Sequence, residues 1–279
     1  MSRRWALRGL LSVVTGSMAG CRLPKRHDPD LTVSLPSRHS VMSDQLVIQS
    51  DFRLQYDHPL IKDLLELKRE VSSALALEFN GPPVVVYLFE NEQKYVDYLV
   101  STWPSLPYRR AYFFGNSHEL AVYTFWGDNV QEDLRHEFTH GLLNSTLQNL
   151  PLWLDEGLAE YFEVPGQPGT VKPVVVQRLG KALTNQWRPD MTQLEALTDV
   201  TMMTQSNYEE AWAWVHFLLH SESSQRDALL SYLQSLRQPR FPGPLSRKLE
   251  SQGINAGDRF AGHVATLSSF GTRTSLVPE

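Results

Sequence analysis

The sequence predicts an α+β protein of two lobes, a mixed α/β lobe over residues 45–163 and a helical lobe over residues 164–270. Three observations carry this. Strand-like runs are confined to residues 45–126, apolar residues recur at helical spacing from Asp128 onward, and residues 164–173 hold three prolines and two glycines at the break. The 279-residue chain is 42% hydrophobic and 10% aromatic, enough for a sizeable core, which excludes disorder, collagen and coiled coil as overall classes.

Residues 1–20 read as an export signal and not as fold. Arg3, Arg4 and Arg8 precede an apolar stretch from Gly9 that ends in Met18-Ala19-Gly20, directly before the single cysteine of the chain, Cys21. The pattern resembles a bacterial lipoprotein signal, which implies lipidation of the Cys21 thiol, a location in the cell envelope and anchoring to a membrane. Residues 21–44, rich in Pro, Ser and charge up to about Ser43, then serve as a tether. One cysteine excludes a disulfide framework, and no run approaches the roughly 20 apolar residues of a membrane span. The formal charge of −5 becomes −8 once residues 1–20 are removed, so neither nucleic acid binding nor a polybasic membrane surface is expected.

Along the remaining chain, Gln45 to Leu54 alternates as a strand, and Leu60 to Phe79 carries a helical apolar stripe that Asn80-Gly81 would cap. Val84 to Phe89 is continuously apolar and β-branched, the pattern of a strand buried on both faces. A short helix from Asn91 to about Thr102 and strands at Arg110–Phe114 and Leu120–Trp126 follow, the strands joined by a turn containing His118. Leu120–Trp126 is expected at the sheet edge. Asp128 and Gln131 suggest a capping box opening a helix to about Thr146, and Pro151 introduces another over Leu152–Phe162. Helices are then expected near Met191–Leu197, Asn207–His220 and Gln225–Leu236, two more lie between Pro244 and Ser268, and the tail from Gly271 reads as loose.

The chemistry concentrates in His136-Glu137-Phe138-Thr139-His140. Histidines four apart leave one face of a helix, so two imidazoles can meet one metal, and the carboxylate of Glu137 lies beside that metal without binding it. This is the position of a general base. A catalytic zinc wants three protein ligands and one open position, and Glu156, sixteen residues beyond His140 on the next helix, is the best third ligand. Glu160, one turn further, is placed to accept a hydrogen bond from the ring N–H of a ligand histidine, and stands as the alternative ligand. His216 and His220 share the same spacing, but their apolar neighbours point to core packing.

HEFTH followed by WLDEGLAEY resembles the gluzincin branch of the zinc metallopeptidases, in particular the bacterial peptidases grouped as peptidase-MA-like. The likeness is strongest over residues 133–162. It implies a zincin-like fold and one zinc per chain on His136, His140 and Glu156, with Glu137 as the base and Glu160 behind the ligands. Tyr208, opening the Tyr208-Glu209-Glu210-Ala211-Trp212 helix, is similar to the tyrosine with which relatives donate a phenol to the developing oxyanion, with Tyr161 and His216 as the next candidates. The implied activity is hydrolysis of a protein or peptide substrate by water activated by Glu137. Nothing like the G-x-M-E-N segment that holds a substrate amine precedes the helix, which disfavours an aminopeptidase. The alternative is a non-catalytic envelope lipoprotein acting as scaffold or chaperone.

Overall fold

The computed structural model describes residues 34–116 and 119–274; residues 1–20, Cys21, His118 and residues 275–279 of the expected tail lie outside them. The protein is mixed α/β, with a five-stranded sheet in the N-terminal part and a helical C-terminal region. The sheet contains β1 (His39–Ser43), β2 (Leu46–Ser50), β3 (Val84–Phe89), β4 (Ala111–Gly115) and β5 (Leu120–Phe125), in the order β1-β2-β3-β5-β4. The β2–β3 and β3–β5 pairs are parallel, while β1–β2 and β4–β5 are antiparallel.

Two expectations change here. His39–Ser43, expected within the tether, pairs with β2 as an edge strand. The other edge is β4 and not the strand expected at Leu120–Trp126, because the parallel pairing of β5 with β3 leaves β4 to add outside it. The antiparallel β4–β5 pair that the turn at residues 115–118 suggested does form.

Alternation sorts the strand side chains. Val84, Val86, Leu88, Leu120 and Val122 face a core shared with α1 (Pro59–Leu75) and α3 (Val130–Thr146), whereas Phe89, Ala121 and Tyr123 face a smaller aromatic cluster with Tyr95 and Leu99 of α2 (Glu92–Thr102). The α1 helix stops four residues before Phe79. Ala76 takes a left-handed conformation at φ 52°, and the Ser72 hydroxyl donates to the Leu77 carbonyl at 2.6 Å, so the chain is capped before Asn80-Gly81. Nor does the Asp128–Gln131 capping box form. Asn129 is the cap residue of α3, without a side-chain bond, and Glu132 and Asp133 supply the negative charge that suits a helix N-terminus.

The C-terminal region begins with α4 (Leu152–Phe162), then α5 (Pro173–Thr184), α6 (Met191–Glu195), a 3-10 turn over Val200–Met202, α7 (Gln205–His220), α8 (Ser223–Ser235), α9 (Leu245–Ser251) and α10 (Ala256–Thr274). α5 has no counterpart in the sequence reading, where Pro173 served only as a loop signal; in the structure it starts the helix, where a missing N–H costs nothing. α10 continues into the expected tail as far as Thr274. One buried cluster, from Leu46 of β2 to Val264 of α10, runs through both parts of the protein. Among the described residues, no helix is long and apolar enough to cross a membrane.

Candidate metal centre

The α3 helix lies across the sheet on β3, β4 and β5, and its approach to β3 is close: a Cβ at Gly141 would stand 2.6 Å from both methyl carbons of Val84. Glycine is required there, directly after His140. Two arginines fix the helix on the N-terminal side of that contact. Arg135 is fully buried, and its guanidinium donates to the Phe162 carbonyl at 3.0 Å, to Asp63 at 2.9 Å and to Glu70, tying α3 to α1 and to the end of α4. Arg110, just before β4, clasps Asp133 with three hydrogen bonds of 2.7–3.1 Å.

His136 and His140 leave one face of α3 with ring centroids 5.0 Å apart, and Glu156 of α4 comes over them, its Oε2 3.8 Å from His140 Nε2. One ligand atom from each of the three residues lies within 4.8 Å of the others. All three side chains are buried, and His136 Nε2, His140 Nε2 and Glu156 Oε2 have no hydrogen-bond partner. Three sheltered, unpaired acceptor positions converging on one point fit a cation, and two imidazoles with one carboxylate are a catalytic zinc donor set.

The opposite ring nitrogens explain which lone pairs are available. Nδ1 of His140 lies 2.7 Å from Asp155 Oδ1 and Nδ1 of His136 lies 3.1 Å from Glu163 Oε2. A carboxylate only accepts, so each Nδ1 carries a proton and Nε2 is the ring atom left to meet a metal. Asp155 is itself held by the Asn144 amide at 3.2 Å. Phe113 of β4 stacks on the His140 ring at 6.1 Å.

Glu160 does not take the role expected of it. Its carboxylate is paired with Lys172, which also donates to Glu163 at 2.6 Å; it lies within 4.8 Å of a His136 ring nitrogen and adds to the negative field there, but the ring's hydrogen bond goes to Glu163. Lys172 lies just before α5, and the chain between α4 and α5 returns it across the end of α4. Among the described residues, His136, Glu160 and Glu163 form the other group close enough to hold an ion, but Lys172 already supplies the positive charge there.

The electrostatics of the first group suit a cation. Burial pushes the Glu156 carboxyl well above its ordinary pKa, and the charges of Asp155, Glu137 and Glu160 push it further; Arg109 pulls it back. Burial also raises Glu137, against His136, His140 and Arg109. For His136 burial acts downward, but the hydrogen bond to Glu163 and the surrounding carboxylates win and lift it to about 9. Burial pushes Glu163 up, yet His136 and Lys172 hold it below its ordinary range. A divalent cation would reverse the pressure on Glu156 and displace the proton from His136.

Glu137 is buried, and its Oε2 is unpaired. Tyr208 is also buried, packed with Leu152, Val200 and Met203, one turn of α4 before Glu156. Tyr161 and His216 are engaged elsewhere: the Tyr161 hydroxyl pairs with His220 Nε2 at 2.8 Å and His216 Nδ1 with His263 Nε2 at 2.9 Å; His216 is buried as expected, whereas His220 is exposed. The residues that sequence reasoning missed are Asp155, Glu163, Lys172, Arg135 and Arg109. Glu163 carries a local signal, since it lies two turns after Glu156 on the same stripe of α4. For Lys172 and Arg109 there is none.

Residues 132–241, which contain the whole ligand set and α7, are similar to a family described as a protein of unknown function, DUF1570. No curated protein matches the chain.

Proposed function

We propose that the protein is a zinc-dependent metallopeptidase of the gluzincin type, related to the peptidase-MA-like group, with His136, His140 and Glu156 as the zinc ligands. The observation that supports it best is the convergence of three unpaired, buried ligand atoms beside the equally unpaired Glu137. Zinc, when bound, supplies a Lewis acid that polarises a carbonyl and lowers the pKa of water. Glu137 accepts the proton of the attacking water and passes it to the leaving amine; burial suits it, since a base works best with a pKa near the working pH. Asp155 and Glu163 hold the two imidazoles in the tautomer that presents Nε2. Tyr208 donates its phenol to the developing oxyanion. The free edge of β4, on the sheet flank next to α3, offers backbone groups to an extended peptide substrate.

The segment before the described residues adds the second half of the proposal: export to the bacterial cell envelope and lipid anchoring through Cys21, tested by incorporation of labelled palmitate and its loss in Cys21→Ser. For the activity, zinc content is measured first and then cleavage of an unbiased peptide library by wild type and Glu137→Gln. The expected result is one zinc in both proteins and cleavage by wild type alone, at least about a hundredfold above the variant. Equal cleavage by both would remove Glu137 as the base, and no cleavage by a zinc-loaded wild type would favour the scaffold or chaperone reading.

A further inference from the structure

Arg109 stands at the start of the β4 edge, and its side chain is half-buried with Nε and Nη1 sheltered and without a hydrogen-bond acceptor. Among the described residues it is the only arginine or lysine with sheltered donors left unpaired, while Arg135, Arg110 and Lys172 are all neutralised by carboxylates. A guanidinium in that state is costly unless an anion completes it. It is also firmly placed. The Tyr95 hydroxyl donates to the Arg109 carbonyl at 2.8 Å, the guanidinium carbon lies 5.5 Å from the centre of the Tyr112 ring, and the next residue, Arg110, is clasped to Asp133, one turn before Glu137 on α3. Two residues into β4, Phe113 touches the His140 ring. The neighbourhood of Arg109 is therefore the metal centre, and its charge is felt by both Glu137 and Glu156.

With a divalent cation on His136, His140 and Glu156, the negative charge of Glu156 is spent on the ion, and Arg109 shares only Glu137. Counted with Glu137 and Glu156, the ion and Arg109 then leave one positive charge beside the β4 edge. We propose that Arg109 is the specificity residue of this site, hydrogen-bonding through its sheltered donors a carboxylate that the substrate carries beside the bond to be cut. Two sources present that chemistry to the same guanidinium: an Asp or Glu side chain, or the free C-terminal carboxylate of a short peptide. The inference rests on the peptidase reading for the identity of the substrate, but not for the presence of an anion site.

The test uses one cleavable sequence from the library in four forms, with Glu or Gln beside the cleaved bond and with a free or amidated C-terminus. Zinc-loaded wild type is expected to favour one carboxylate form over its amide by about tenfold or more in kcat/KM, carried by KM, and the arm that shows the preference identifies the source. Arg109→Gln is expected to abolish that ratio, and Arg109→Lys, which keeps the charge, to restore part of it. Should Arg109→Gln melt before assay, the wild-type ratio and Arg109→Lys still decide. A wild-type ratio within twofold, or a ratio unchanged in Arg109→Gln, overturns the proposal while leaving the peptidase reading standing. Equilibrium binding to Glu137→Gln of four peptides built in the same forms on a library sequence selected for binding, whether or not it is cleaved, separates the two ideas from the other side. Binding that favours the carboxylate and depends on Arg109, without any turnover by wild type, supports the anion site and removes the peptidase; indifference to the carboxylate overturns the anion site.

Discussion

At the residue scale, the site is built from side chains whose hydrogen-bonding capacity is half used. Nδ1 of each histidine is committed to a carboxylate and Nε2 is not, so the pairs His140–Asp155 and His136–Glu163 decide which atoms face the centre. Asp155→Asn and Glu163→Gln keep the shape but lose the charge that favours a protonated Nδ1. Each is expected to weaken zinc binding by about 10–100-fold with the fold retained, measured by competition with a chromophoric chelator. Glu160→Gln removes a partner of Lys172 and not of an imidazole, so its effect should be smaller than either. For Tyr208→Phe, loss of a single oxyanion donor would lower kcat by about 10²–10³ with zinc content and melting temperature close to wild type. Turnover within about threefold of wild type would exclude the phenol, and with Tyr161 and His216 bonded elsewhere the search for a donor would turn to Arg109.

At the element scale, the three candidate ligands meet because two helices approach their neighbours at glycine. Gly141 lets α3 rest on Val84 of β3, and Gly157 lets α4 rest on α7, where a Cβ would stand 2.5 Å from the Ala211 carbonyl oxygen. Each glycine follows a ligand directly, so the same residue that permits the contact fixes the height of His140 or Glu156. Because the obstacle at Gly157 is backbone and cannot rotate away, Gly157→Ala is expected to destabilise the protein by about 1–3 kcal/mol in urea denaturation and to weaken zinc binding as α4 shifts. An unchanged midpoint would show that α4 and α7 can separate freely.

At the scale of the whole molecule, the helical region is joined to the site by a histidine cluster as well as by apolar packing. His216 of α7 stacks on His220 at 4.3 Å and bonds His263 of α10, while His220 meets Tyr161 of α4. Burial lowers the pKa of His216 to about 3, with the neighbouring His220 and His263 charges adding to the shift; burial also lowers His220, helped by Arg226, and His263, helped by His220. In the unfolded chain an imidazole takes its proton below about 6.5, whereas folded His216 resists it until much lower pH. The unfolded state therefore binds more protons between these values, and stability falls as pH drops from about 6.5 toward 3. The expected slope is on the order of 1 kcal/mol per pH unit from His216, read from urea midpoints at pH 7 and 5, and His216→Gln should flatten it.

Much of this was legible in the chain. Periodicity alone located β3, α2, α4 and α7 to within about two residues, since each is long or strongly patterned, and the HEFTH spacing put two imidazoles and a carboxylate on one helical turn. Glu156 followed from the ligand count that a catalytic zinc requires. The sequence also carries, in its single cysteine behind an apolar stretch, the argument for the anchor. What it could not contain is the set of contacts made across distance: that β4 and not β5 is the free edge, that Ala76 ends α1 early, that Glu163 and not Glu160 takes the His136 hydrogen bond, and that Arg109 keeps sheltered donors beside Glu137. Local patterns report which face of an element is apolar, because that depends on spacing along one segment. Partner choice among buried charges depends instead on which carboxylate the packed helices bring within hydrogen-bond reach of which cation, and only the tertiary structure decides that.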